Sequence, residues 1–223
     1  TSQYTAGTLT DLIGNALASD GAPVASTDLA GPVLLSAEGN PGSTSLGVTF
    51  SEPVYTTTGG AGAPIVYPTG QTELVHHEGE LGVVIGRRSR HLDRAGVRDA
   101  IFGYTLVNDV TARDLQRRDV QFTRGKGFDT FAPMGPWVDT DFEPGAQQLT
   151  VTVNDNPRQQ GRLDQMIFDV PDLLVAMSRV MTLEAGDVIA TGTPAGVDAL
   201  LPGDVVTVSI EGLGRLMNPV EAE

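Results

Sequence analysis

His76-His77-Glu78-Gly79-Glu80-Leu81-Gly82-Val83-Val84-Ile85-Gly86 is the stretch on which the reading of this chain turns. Its second half, residues 81–85, is a continuous apolar run with β-branched members, and it reads as a buried strand that stops at Gly86. Side chains alternate between the faces of a strand, so Glu78 and Glu80 project side by side. Two carboxylates this close repel one another and invite a proton or a cation. A bare Glu-x-Glu is often only a solvated strand face. This one runs directly into core, where two uncompensated acids would be expensive to desolvate. The same period puts His76 on the carboxylate face and His77 on the other, both in structural or supporting roles rather than as ligands.

Working outward, residues 104–107 read as a second strand that delivers Asn108 and a third acid, Asp109. Asp93 can cap a helix running to about Phe102, closed by Gly103. Thr111 and Asp114 fit a capping box opening a short helix through about Arg118. Three carboxylates with open positions suit a hard cation such as Mg2+. With no cysteine and only three histidines, zinc is less suited. Arg113 and Gln116, at i and i+3, share one helix face near Asp109. Lys126 sits in Arg124-Gly125-Lys126-Gly127, where glycines permit a close backbone approach to a ligand. Beside a metal these three are anchors for a carboxylate and stabilisers of a developing enolate.

The rest of the chain frames that centre. An abundance of glycine (27) and proline (14) with 5% aromatics points to many turns and a β-rich, mixed β and α+β fold. Residues 1–66 are rich in Thr, Ser, Gly and Pro and read as a small N-terminal layer or subdomain, with one amphipathic helical piece at Leu9, Leu12, Ile13, Ala16 and Leu17. Residues 67–223 read as the catalytic domain. Within it, residues 149–153 form a strand, the turn at residues 154–157 leads to a hairpin partner, and Pro171 opens a helix. Leu173, Leu174, Met177, Val180 and Met181 form that helix's apolar face, and residues 205–211 alternate as a half-buried strand. His91 is expected to be exposed. A net charge of −14 and a pI near 4.4 argue against nucleic acid and anionic membranes as partners. No apolar run approaches the roughly 20 residues of a membrane span, and no secretory signal is visible, so the cytoplasm is the expected location.

Several ordered motifs together resemble the catalytic domain of the fumarylacetoacetate hydrolase family. They are the His77–Gly86 stretch, Gly103-Tyr104-Thr105 through Asn108-Asp109-Val110-Thr111-Ala112-Arg113-Asp114-Leu115-Gln116, and Lys126-Gly127-Phe128-Asp129-Thr130. Pro133-Met134-Gly135-Pro136-Trp137, Gln165-Met166-Ile167-Phe168, Gly186-Asp187-Val188-Ile189 and Thr191-Gly192-Thr193-Pro194 continue them. The resemblance implies a β-sandwich roll with a few short helices, assembled as a homodimer. It implies Glu78, Glu80 and Asp109 as ligands of Mg2+ (or Mn2+ or Ca2+), with Arg113, Gln116, Lys126 and Thr193 at the substrate. It also implies chelation of a small 2-oxo-acid or 1,3-dicarbonyl compound, with the metal as Lewis acid on an enolate. Hydrolase, decarboxylase and isomerase or tautomerase chemistries all belong to this pattern.

One departure bears on the reaction. Many smaller members carry a His and a Glu that activate water on a lid upstream of a Pro-rich run, whereas about Ala37 to Phe50 contains no His here. A Lys common near Ser51-Glu52-Pro53 is also missing. Either the dyad is lacking, or a lid segment lies outside the chain, which starts at Thr1 without a Met. The alternatives to a metal-dependent hydrolase, decarboxylase or tautomerase are a member lacking the dyad with an altered biosynthetic reaction and a non-catalytic metal- and ligand-binding protein.

Overall fold

The computed structural model describes residues 62–223 and, for the backbone alone, two earlier strands, β1 (Leu34–Glu38) and β2 (Ser45–Phe50). The helical piece expected around Leu9 to Leu17 lies outside the described residues. The remaining strands are β3 (Ile65–Tyr67), β4 (Val75–His76), β5 (Gly79–Ile85), β6 (Ile101–Asn108), β7 (Thr111–Ala112) and β8 (Met134–Asp139). They continue with β9 (Gln148–Val153), β10 (Asn156–Arg162), β11 (Val188–Ala190), β12 (Val205–Ile210) and β13 (Gly214–Ala222).

These strands build a six-stranded sheet in the order β1-β2-β8-β6-β5-β11 and a five-stranded sheet in the order β10-β9-β12-β13-β3, with β4 and β7 as a separate pair. β5 and β6 of the first sheet pack against β9, β12 and β13 of the second. Leu81, Val83, Leu106, Val151, Val208 and Leu216 fill the space between them and are essentially inaccessible. This is the β-sandwich the motifs implied. β5 takes its continuous apolar character from its place between β6 and β11, buried on both faces.

Among the described residues four short helices complete the fold: α1 (Val97–Ala100), α2 (Arg113–Arg118), α3 (Thr123–Lys126) and α4 (Val170–Val180). None of the described helices is long and apolar enough to cross a membrane. Asp93 accepts the Gly96 N–H at 2.8 Å, but the helix that follows is a single turn. Ile101, Phe102 and Gly103 belong instead to β6, where Gly103 pairs with Val84, because the long antiparallel ladder with β5 outcompetes another helical turn. The capping box at Thr111 is not formed either. Thr111 donates to the Asp109 carbonyl at 2.8 Å, and Asp114 accepts from the Thr72 hydroxyl and the Glu73 N–H. α4 is capped as expected, with the Asp169 carboxylate accepting the Asp172 N–H and Pro171 in the first turn. Its buried face is Val170, Leu174 and Ser178, whereas Val180 and Met181 are exposed. Ser178 takes the core position because its hydroxyl accepts from Leu92 N–H and donates to the Val175 carbonyl.

The expected hairpin at residues 149–162 is present. Its turn is Asn154-Asp155, both with positive φ, and the Asn154 side chain also accepts from Val205 N–H. Ile65–Tyr67, at the expected domain boundary, is hydrogen-bonded in parallel to β13.

Candidate metal centre

β5 and β6 pair in antiparallel register, with Gly79 opposite Asn108. Glu78, Glu80 and Asp109 are thereby brought together at one end of this pair. One carboxylate oxygen from each lies within 4.8 Å of the others. Glu78 and Glu80 are buried, Asp109 partly so. The backbone fixes this convergence: Asp109 N–H donates to the Glu78 carbonyl at 2.8 Å, and Glu78 N–H to the Asn108 side-chain oxygen at 3.0 Å. Asn108 is a fully buried support that strand periodicity alone does not single out.

Three hard oxygen donors at this spacing fit a divalent cation such as Mg2+, which keeps waters on its remaining positions. Glu80 carries the electrostatic strain of the cluster. Burial pushes its carboxyl up to about 7, the neighbouring Asp109 and Glu78 push the same way, and the Gly192 N–H, donating at 2.6 Å, holds it down in part. A carboxylate that resists ionisation until near neutral pH is one a bound cation would relieve.

The cationic residues are at the same place. Lys126 Nζ donates to Glu78 Oε2 at 3.2 Å and to Asp109 Oδ2. Burial works against the Lys126 ammonium, but the Asp109 and Glu78 carboxylates outweigh it and hold its pKa above the ordinary value. Arg113 pairs with Glu78 Oε1, donates to Gln116 Oε1 at 2.6 Å and approaches His76 Nδ1 at 3.5 Å. Arg113, Gln116 and Lys126 are therefore gathered around the acids, as the sequence suggested. Of the glycines beside Lys126, Gly125 has a packing role: a Cβ there would lie 3.2 Å from the Gln116 Cβ, so this glycine seats α3 on α2.

His76 and His77 occupy supporting positions. Burial lowers the pKa of both, and His77 is fully buried with Nδ1 2.9 Å from the Gln159 side-chain oxygen. His91 is exposed.

Beyond β11 the chain runs alongside β5, and two threonine hydroxyls continue the ladder. Thr191 donates to the Leu81 carbonyl at 2.9 Å and Thr193 to the Gly79 carbonyl at 2.8 Å. Between them Gly192, at φ 98°, turns its N–H onto Glu80, a conformation that side chains rarely adopt. The Thr193 hydroxyl has its one proton on Gly79, which leaves only a lone pair for a ligand. Residues 191–195 also wall a cavity of about 510 Å3 shared with residues 165–168.

The model of the fumarylacetoacetate (FAA) hydrolase C-terminal family matches residues 37–221. The chain belongs to the fumarylacetoacetate hydrolase family. It is similar to oxaloacetate tautomerase YisK of Bacillus subtilis, 43% identical over 159 residues, which are 67% of this chain and 53% of that protein. It is similar also to the mitochondrial oxaloacetate decarboxylase of Dictyostelium discoideum, 41% identical over 156 residues, covering 67% and 71%. Among solved structures, the 5-carboxymethyl-2-hydroxymuconate delta-isomerase from Mycobacterium smegmatis superimposes with a TM-score of 0.72. It is 41% identical and the match covers 83% of this chain and 73% of that one. The chain spans less than two thirds of the length of several curated family relatives it matches.

Proposed function

We propose that this chain forms a divalent-metal-dependent enzyme acting on a small 2-oxo-acid or 1,3-dicarbonyl compound, with enolisation or decarboxylation favoured over hydrolysis. One observation carries the reading: three carboxylates on paired strands converge within 4.8 Å, with Lys126 and Arg113 bonded to them. Glu78, Glu80 and Asp109 would hold Mg2+, or Mn2+ or Ca2+ in its place. When bound, the cation supplies Lewis acidity toward the carbonyl and carboxylate oxygens of the substrate.

The chain's own residues supply the rest. We assign Lys126 Nζ to donate to a substrate oxygen as it gains negative charge. The planar guanidinium of Arg113, steadied by Gln116 and Glu78, suits a carboxylate. Thr193 contributes a lone pair, and so is suited to an enol hydroxyl or a bound water. The preference among reactions follows from the bases at hand. Among the described residues no histidine hydrogen-bonds a member of the acid cluster; His76 faces Arg113 and His77 faces Gln159. Hydrolysis needs a base within reach of a water, whereas enolisation and decarboxylation need chiefly an electron sink. The tautomerase and decarboxylase among the relatives support this order. The same proposal includes a homodimer, which rests on the family likeness, and a cytoplasmic setting.

The test is a side-by-side assay of oxaloacetate enolisation, oxaloacetate decarboxylation and acylpyruvate cleavage, each with and without Mg2+. Mg2+-dependent enolisation or decarboxylation as the fastest reaction is expected. Cleavage as the fastest would overturn the preference, and Mg2+ binding without turnover of any of the three would overturn the enzymatic reading.

A further inference from the structure

β10 is exposed along most of its length, and its one fully buried side chain is the polar Gln159. The register explains the direction. Pro157 pairs with Thr152 and Gln159 with Val151, so Arg158 is an extra residue without a partner, and this bulge turns Gln159 inward. There the side-chain oxygen lies 3.1 Å from Gly79 N and 2.9 Å from His77 Nδ1. The side-chain nitrogen lies 2.7 Å from Thr193 Oγ1 and 2.7 Å from the Pro194 carbonyl.

The orientation of the amide is fixed by partners with only one role. Gly79 N–H can only donate and the Pro194 carbonyl can only accept, so the oxygen faces Gly79 and the nitrogen faces Pro194. His77 Nδ1 must then be the protonated ring nitrogen. Thr193 accepts from Gln159 and donates its own O–H to the Gly79 carbonyl. Both polar groups of the Gly79 peptide backbone are thus held, the N–H by Gln159 and the C=O by Thr193. Gly79 is the residue between Glu78 and Glu80. A bare glycine is required there, because a Cβ would lie 2.3 Å from Val151 Cγ2.

We infer that Gln159 is a positioning residue for the acid cluster, which with Thr193 clamps the backbone of Gly79 and so fixes the separation and aim of Glu78 and Glu80. The inference rests on the metal-dependent reading above and adds a second-sheet residue to it. Gln159 touches neither carboxylate. Its effect passes through the Gly79 peptide on one side and, through Thr193 and Pro194, the segment that carries Gly192 onto Glu80 on the other.

Mg2+ and Mn2+ titrations of the whole protein by calorimetry, well below the melting temperature, test this. In Gln159→Met and Thr193→Val the dissociation constant for Mg2+ is expected to rise by about 10- to 100-fold, the range seen when groups that orient metal ligands are removed. Thr193→Ser, which keeps the hydroxyl, is expected to stay close to wild type. If Gln159→Met does not fold, the Thr193→Val and Thr193→Ser pair decides. Lowered melting temperatures with unchanged dissociation constants would overturn the inference and leave Gln159 a purely structural residue. Glu80→Gln separates the clamp from cation binding as such. Wild-type binding that is lost in Glu80→Gln but kept in the clamp variants sinks the clamp alone, whereas wild-type protein that binds neither cation sinks the metal-dependent reading and the clamp with it.

Discussion

Replacing Glu80 with Gln should stabilise the metal-free protein at mildly alkaline pH, although it removes a proposed ligand. An unfolded glutamate ionises near 4.5, whereas burial and the adjoining carboxylates keep folded Glu80 protonated to about 7. Between those values the folded state holds a proton that the unfolded state has lost. Stability therefore falls as pH rises through this window, and stays reduced above it. At 1.36 kcal/mol per pH unit the gap is worth about 3 kcal/mol. Glutamine has no such ionisation, and its side-chain oxygen can still accept the Gly192 N–H. In EDTA, urea unfolding followed through the single tryptophan, Trp137, should show the two proteins within about 1 kcal/mol near pH 5. At about pH 8 the variant should be ahead by about 3 kcal/mol, or about 6 to 12 °C in Tm. Saturating Mg2+ should reverse the order, because only wild type then gains binding energy. A difference that stays constant from pH 5 to 8, or a wild type more stable than the variant at pH 8 in EDTA, would refute the account of this carboxylate.

Other outcomes follow from the same geometry. Asp109→Ala should abolish Mg2+-dependent thermal stabilisation, since two remaining carboxylates hold a hydrated cation poorly; retained stabilisation would mean the cation sits elsewhere. Lys126→Met should slow turnover by about 100-fold while leaving Mg2+ affinity unchanged or tighter, because the ammonium competes for the same oxygens of Glu78 and Asp109. Equal losses in turnover and affinity would show that Lys126 only supports the fold. Gly79→Ala should destabilise by about 2 kcal/mol through its clash with Val151, measured by urea unfolding, and Val151→Ala in the same chain should recover most of it.

The three acids were legible because two strong local signals agree: a period of two places Glu78 beside Glu80, and an apolar run makes their burial unavoidable. Asp109 was legible as the residue at the end of a second strand, though pairing the two strands is a long-range event that no local pattern dictates. Gln159 was invisible for the same reason. Its partners Gly79 and His77 lie about eighty residues earlier in the chain, and the bulge that aims it is a feature of register. Two helix signals do not hold as the local pattern suggests, the extent of the helix after Asp93 and the capping box at Thr111, although both have plausible residues at suitable spacing. Tertiary demand decided otherwise, as β6 claimed Ile101 to Gly103 and Thr72 claimed the Asp114 carboxylate. On α4 a helical wheel favours Met181 over Ser178, yet the serine is buried because it serves the passing chain at Leu92.

Three supports of the acid cluster, Gln159, Gly192 and Thr193, come much later in the chain than the acids themselves. Glu78, Glu80 and Asp109 fall within one early stretch, while the contacts that brace it are separated from their partners by 80 residues at Gln159, 112 at Gly192 and 114 at Thr193. During synthesis the acids and Asn108 emerge well before Gln159, Gly192 and Thr193, and closing loops of this length is slow. Cation affinity is therefore a property the nascent chain acquires only when the segments around Gln159 and Thr193 dock, so a polypeptide truncated before Thr191 would carry every proposed ligand and still lack a working site.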